Sequence, residues 1–276
     1  MFAVSIASLF IASCSQKEIK PEAKPALVLP TTVADAVKSS FRNPENTKRD
    51  QYRHPAETLT FFGIQPEMTV VEIAPGGGWY MEILAPFLAS KGQYIAAGFS
   101  RETTVDFQKE LNAKIDGWLA KYPEAGAKAK IVAFNPPNEI APADSVDMVL
   151  TFRNIHNWMP NEKEAFKTFF KALKPGGTLG VVEHRADPKA KHDPKAKSGY
   201  VSEKHVIKIA QSVGFKLAEK SEINANPKDT KNYPEGVWTL PPTFRLKDVD
   251  KDKYIAIGES DRMTLRFIKP VKKSKK

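Results

Sequence analysis

The sequence predicts an α/β fold, and three stretches carry that prediction. Val70–Ile73 is a short apolar run that meets the glycine turn Gly76–Gly78, and Trp79–Ala89 then continues with helical spacing. A second apolar strand, Val146–Phe152, ends in the polar loop Arg153–Trp158. Third, a helical pattern over Lys163–Leu173 passes through the turn Leu173–Gly177 into a strand at Thr178–Glu183. Alternation of strand and helix builds an open, largely parallel sheet, and such sheets bind ligands beyond the carboxyl ends of their strands.

The glycine turn is the centre of the functional reading. Its missing side chains let a ligand approach the backbone, and the free amides of a helix N-terminus favour a nucleotide-like or carboxylate-bearing group. A turn that binds nothing is the plain alternative. A dinucleotide fingerprint would need a small residue where Met81 stands. The strand acid Glu72, followed by Ala74, Pro75, Gly76, Gly77 and Gly78, instead resembles the first motif of the class I S-adenosylmethionine-dependent methyltransferases. The stretch Asp144–Trp158 and the turn Lys174–Gly177 resemble later segments of the same family in the same order. The resemblance spans about 33–270. It implies a Rossmann-like sheet of seven strands, mostly parallel with the last antiparallel, helices on both faces, and S-adenosylmethionine as cofactor.

The elements follow in order. Val33–Phe41 and Arg53–Phe62 read as helices, the second with Pro55 in its first turn and Gly63 as its stop; Arg53, His54 and Glu57 are its candidate pocket residues. Strand one is Thr69–Ala74, and Pro86 is expected to kink the helix after the turn. Gln93–Phe99 is strand two, and its end carries Gly98, Phe99 and Ser100 where a ribose-binding acid is expected, leaving Glu102 as a substitute. Thr103–Lys121 is an amphipathic helix, and Lys130–Phe134 is strand three. Asn135 follows it. The resemblance places an adenine contact there, although Asn135 also suits the turn before Pro136 and Pro137.

Arg153 and Asn154 leave strand four on the cofactor side, while Asn154, His156 and Trp158 bring an amide, an imidazole and an aromatic plate toward the expected methyl group. Imidazole titrates near neutral pH, which makes His156 the first candidate base and His184, at the end of the next strand, the second. His156 could equally be a packed histidine. No ligand spacing supports a metal at His184 and His192. The Lys- and Pro-rich segment after Glu183 reads as a lid-like loop. Ser202–Val213 is a helix with Ser202 as N-cap, Phe215–Ile223 and Met263–Ile268 are the last two strands, and the long insert 226–261 is expected to cover the substrate side.

The ends of the chain carry a separate signal. The only cysteine among the 276 residues is Cys14, which excludes an internal disulfide and a cysteine-built metal site. It closes a short apolar run too short to span a bilayer, and Ile11-Ala12-Ser13-Cys14 resembles the lipobox of bacterial lipoproteins. The implied organisation is a signal peptide at 1–14, a Lys/Pro-rich tether at 15–32, the folded domain at 33–270 and a basic tail at 271–276. The implied location is the cell envelope, lipid-anchored through Cys14 at the outer membrane, with a cytoplasmic chain as the alternative. The net charge of +10 is spread along the chain, and no basic motif with interleaved aromatics points to nucleic acid. The family resemblance implies a methyl transfer, and a small-molecule acceptor is expected. S-adenosylmethionine is made in the cytosol, so a binding lipoprotein that keeps the fold without the activity is the competing reading.

Overall fold

The computed structural model describes residues 27–271, so the expectations for Cys14, the signal peptide, most of the tether and the basic tail lie outside the described residues. Short helices α1 (Val33–Val37), α2 (Pro44–Thr47), α3 (Asp50–Arg53) and α4 (Pro55–Phe62) precede the sheet. There follow β1 (Thr69–Ile73), α5 (Met81–Leu88), β2 (Gln93–Gly98), α6 (Asp106–Lys121), α7 (Pro123–Gly126) and β3 (Lys130–Ala133). The second half runs β4 (Val146–Phe152), α8 (Glu162–Ala172), β5 (Leu173–His184), α9 (Glu203–Ser212), β6 (Lys216–Ser221), α10 (Lys251–Ile257) and β7 (Arg262–Ile268).

The strands form one seven-stranded sheet in the order β3-β2-β1-β4-β5-β7-β6. Neighbours pair in parallel except that β7 runs antiparallel to both β5 and β6. The order reverses between β1 and β4, so the crevice at their carboxyl ends is the natural ligand position. Alternation along each strand separates two apolar layers. Val70, Ala96, Met148 and Leu150 join α4, α5 and α6 on one face, while Val71, Ile73, Val149 and Val181 meet α8 and α9 on the other. Every residue of α5 is buried, because the N-terminal helices cover the side it turns away from the sheet.

Several boundaries differ from the sequence expectation for identifiable reasons. The helix expected over Val33–Phe41 ends at Val37, where Ser39 Oγ and Arg42 Nη1 donate to the carbonyls of Ala36 and Val37. The turn at Lys174–Gly177 does not precede the strand but bulges from within it. Val146 pairs with Leu173 and Met148 already with Thr178, and Gly176 supplies the positive φ of 85° that the excursion needs. Gly180 has a different role: a Cβ there would lie 2.6 Å from Leu150 Cδ2 and 2.8 Å from the Phe62 ring. The missing side chain is what lets α4 lie directly on β5.

Candidate functional site

Two cavities meet at the carboxyl ends of β1, β4 and β5. The first, of about 840 Å3, is floored by the glycine turn and by Glu72, Phe152, Arg153 and Asn154. Its roof is the segment 41–53, and its far wall is the end of α6. The roof is held by named bonds. Trp79 Nε1 donates to Asn46 O at 3.0 Å, Glu82 accepts from Asn43 N and Asn46 Nδ2, and Trp118 Nε1 donates to Phe41 O. The guanidiniums of Arg42 and Arg53 stand 4.8 and 4.5 Å from the Trp79 ring.

Within the turn, Ala74 takes a φ of 48°, the left-handed region where a glycine would carry no strain. Gly76, at φ 59°, faces open space, so nothing in the protein occupies the position its side chain would take. Gly77 is different: Lys114 Cδ and Leu111 Cδ2 of α6 would lie 3.4 and 3.8 Å from a Cβ there. Glu72 is buried and accepts a 2.6 Å bond from Tyr94 OH. Burial pushes its carboxyl up to about 7, against the opposing pull of the Tyr94 bond and of Arg153. Asn154 Nδ2 donates to Ile73 O at 3.0 Å and so ties the loop after β4 to the end of β1.

The second cavity, of about 240 Å3, lies beyond the first and is lined by His156, His184, Trp238, Pro242, Glu259 and Ser260, among others. Arg49, Arg53 and Arg153 line both spaces. His156 is held by Glu183, whose carboxylate is fully saturated. Oε2 accepts from Ile155 N at 2.5 Å and His156 N at 3.4 Å, while Oε1 accepts from His184 N at 2.7 Å and lies 3.1 Å from His156 Nδ1. A carboxylate surrounded by three amide donors can only accept, so His156 Nδ1 carries the hydrogen and Nε2 keeps the free lone pair. His184 Nδ1 lies 2.5 Å from Ser260 Oγ. Burial, then the neighbouring His156 and Arg153, pushes the His184 imidazole well below its usual range, which keeps it neutral.

Ligand atoms of His156, Glu183 and His184 all fall within 4.8 Å of one another, a grouping that could hold a metal. The chemistry of the set fits a hydrogen-bonded base better, because Glu183 has spent its lone pairs on N–H donors and arginines crowd the same space. His192, paired with His184 in the sequence reading, instead stacks on His205 at 4.0 Å.

The structure brings together Glu72, Ala74, Pro75, Gly76, Gly77, Arg153 and Asn154 around the first cavity and His156 and His184 around the second. Four expected contacts lie elsewhere. Gly78 is buried beneath the turn against Met81, and Asn135 is an exposed turn residue past β3, outside the cavity wall. Glu102 is exposed beyond β2, and among the described residues neither it nor any residue of β2 lines the first cavity. Trp158 turns into the core against Phe134 and Phe169, and Trp238 of the insert supplies the aromatic face, 6.0 Å from His156. The insert thus covers the second cavity as its length and aromatic content predict. The helix expected over Arg53–Phe62 breaks at His54, whose φ of 40° separates α3 from α4; of its three candidates Arg53 reaches the cavities and His54 and Glu57 do not. Arg49, Glu259 and Arg262 escaped the sequence reading, because ordinary charged residues far apart in the chain give no local signal.

No family model matches the sequence, and no curated protein matches it. Solved structures do. A S-adenosylmethionine-dependent methyltransferase from Aquifex aeolicus aligns over 86% of this chain and 98% of its own, with a TM-score of 0.54 and 16% identity. The glycopeptide N-methyltransferase MtfA aligns over 83% of this chain and 100% of its own, with 0.51 and 13%. The [4+2]-cyclase SpnF aligns over 79% and 80%, with 0.55 and 14%. At these identities the likeness establishes the Rossmann-like methyltransferase fold and leaves the reaction to the site.

Proposed function

We propose that this chain transfers a methyl group from S-adenosylmethionine to a small acceptor, with the cofactor in the glycine-turn cavity and the acceptor in the cavity beside it. One observation carries the reading: a His–Glu pair faces a cavity that shares its arginine wall with the space over the glycine turn. The first cavity suits the cofactor's amino-acid end. Gly76 leaves the backbone open, and Glu72 offers its own carboxyl to an ammonium.

When bound, the sulfonium supplies an electrophilic methyl carbon, and the displacement leaves its bonding pair on sulfur. The protein's part is alignment. Trp238, Pro241 and Pro242 line the space beside His156 in which an acceptor would be held. An acceptor hydroxyl or amine must also lose a proton, and His156 Nε2 is the base that takes it. Glu183 fixes the ring and stabilises the imidazolium that results.

A non-enzymatic binding protein is the second reading. It is favoured by the packing of Lys114 and Leu111 over Gly77 and by the absence of any β2 residue from the wall of the first cavity among the described residues. Calorimetry with S-adenosylmethionine, followed by release of S-adenosylhomocysteine in the presence of candidate acceptors, separates the two. His156→Ala is expected to lower turnover about a hundredfold while leaving cofactor affinity within twofold. Absence of cofactor binding at millimolar concentration overturns the methyl-transfer reading. We further propose that Cys14 anchors the chain in the cell envelope.

A further inference from the structure

The wall between the cavities holds more positive charge than the protein balances. Arg49 Nε donates to Glu259 Oε1 at 2.6 Å, Arg53 Nε reaches Glu259 Oε2 at 3.4 Å, and Arg262 Nη2 lies 3.3 Å from the same oxygen. Arg153 lines both cavities and makes no ion pair among the described residues. Three guanidiniums therefore share Glu259, and Glu72, the carboxyl that feels the fourth on the first-cavity side, is already engaged by Tyr94 OH. The Glu259 carboxylate is fully engaged: burial alone would push it up, but Arg53, Arg262 and Arg49 hold it down at about 2.

The excess charge is also desolvated. Arg53 and Arg262 are 4% and 2% exposed; Nη1 of Arg153, which lines both cavities, is buried with no hydrogen-bond partner, as is Nη1 of Arg262, which stands behind the wall and lines neither. Buried, unpartnered guanidinium hydrogens are costly unless a ligand meets them. A cofactor carboxylate could meet one from the first cavity, but S-adenosylmethionine as a whole is a cation, with ammonium and sulfonium outweighing that carboxylate. Its arrival adds positive charge to a cluster already in excess. The second cavity is where an opposite charge can enter, with Arg49, Arg53 and Arg153 on one side and Trp238 and Thr243 on the other.

We propose that the acceptor carries an anionic oxygen group, a carboxylate or a phosphate, that docks on Arg153, Arg53 and Arg49 in the second cavity. The inference rests on the methyl-transfer reading for the word acceptor, but the anion site itself does not. Arginine forks match both groups bidentately, and a neighbouring His156 would stand beside whatever nucleophile the same molecule presents.

The test is calorimetric titration of the full chain with inorganic phosphate and, separately, acetate, each with and without S-adenosylmethionine, at constant ionic strength. Saturable binding of at least one ion is expected, and it should tighten S-adenosylmethionine several-fold, with the reciprocal effect of the cofactor on the ion. Arg153→Met should weaken ion binding at least tenfold. Thr243→Trp, which fills the second cavity and leaves the first untouched, should abolish ion binding while S-adenosylmethionine still binds. Stronger binding of phosphate or of acetate tells which anionic group the acceptor carries. Failure of both ions to bind, or binding indifferent to Arg153→Met and Thr243→Trp, overturns the proposal even where the cofactor binds. Ion binding without any cofactor binding keeps the anion site and removes the methyl-transfer reading instead.

Discussion

Glu72→Gln should remove a pH dependence of stability that the wild-type chain carries. The Glu72 carboxyl is buried against Tyr94, and its folded-state value stands at about 7 against an ordinary 4.5. Burial is the dominant cause. A carboxyl raised on folding is neutral in both states below pH 4.5 and costs nothing there. Between 4.5 and about 7 the folded chain binds more protons than the unfolded one, so stability falls with rising pH, and the loss is complete above about 7. At about 1.4 kcal/mol per pH unit the interval amounts to about 3 kcal/mol. Glutamine keeps an acceptor for Tyr94 OH and carries no charge. Urea unfolding of both proteins at pH 4, 5, 6, 7 and 8 gives the difference directly. The variant should match the wild type at the acid end and exceed it by about 3 kcal/mol at the alkaline end. Curves that stay parallel across the range would refute the assignment of a neutral, desolvated carboxyl.

Gly180→Ala should cost about 1–3 kcal/mol by urea unfolding, because the new methyl group meets Leu150 and the Phe62 ring, and a companion Phe62→Leu should recover part of the loss. Glu183→Gln should lower turnover about tenfold or more by placing an amide donor against an N–H donor and releasing the His156 ring; Kd for S-adenosylmethionine should be unchanged. Cys14→Ala should shift the chain from the membrane to the soluble fraction on ultracentrifugation, since lipidation of that thiol is the anchoring chemistry the sequence offers.

The sheet was legible because its signals are local. Each strand is an apolar run whose neighbours in the chain are helices or turns, and Val70–Ile73, Val146–Phe152 and the final antiparallel strand all stand where periodicity and the family resemblance put them. The floor of the first cavity was legible for the same reason, as Glu72 through Gly77 is contiguous. Side-chain direction was not. Trp158 and His156 are two residues apart in one loop, yet the first packs on Phe134 and the second on Glu183, a choice made by what β3, α8 and β5 present to them. Asn135 stands past β3, and the first cavity is walled instead by α6 and the segment 41–53. The arginine wall was legible only in part: Arg53 and Arg153 stood among the candidates, whereas Arg49, Glu259 and Arg262 did not, since they come from opposite ends of the chain.

That last separation bears on how the protein comes to exist. Arg49 and Arg53 reach Glu259 across more than 200 residues, and Arg262 Nη2 donates to Tyr52 O across 210. β7, which carries Arg262, also slots between β5 and β6 and so cannot be placed until nearly the whole polypeptide has been made. The parallel half, β3-β2-β1-β4, can collapse on its own local contacts well before then, whereas contacts this distant in sequence are slow to close. A chain emerging from synthesis would therefore pass through a stage in which the glycine turn is formed but the arginines before it have no carboxylate to meet. Truncation between the end of β6 and Glu259 leaves that stage permanent. Fragments ending there should retain much of the sheet, expose unpaired strand edges at β5, and present a strongly basic, unfinished pocket to any polyanion nearby.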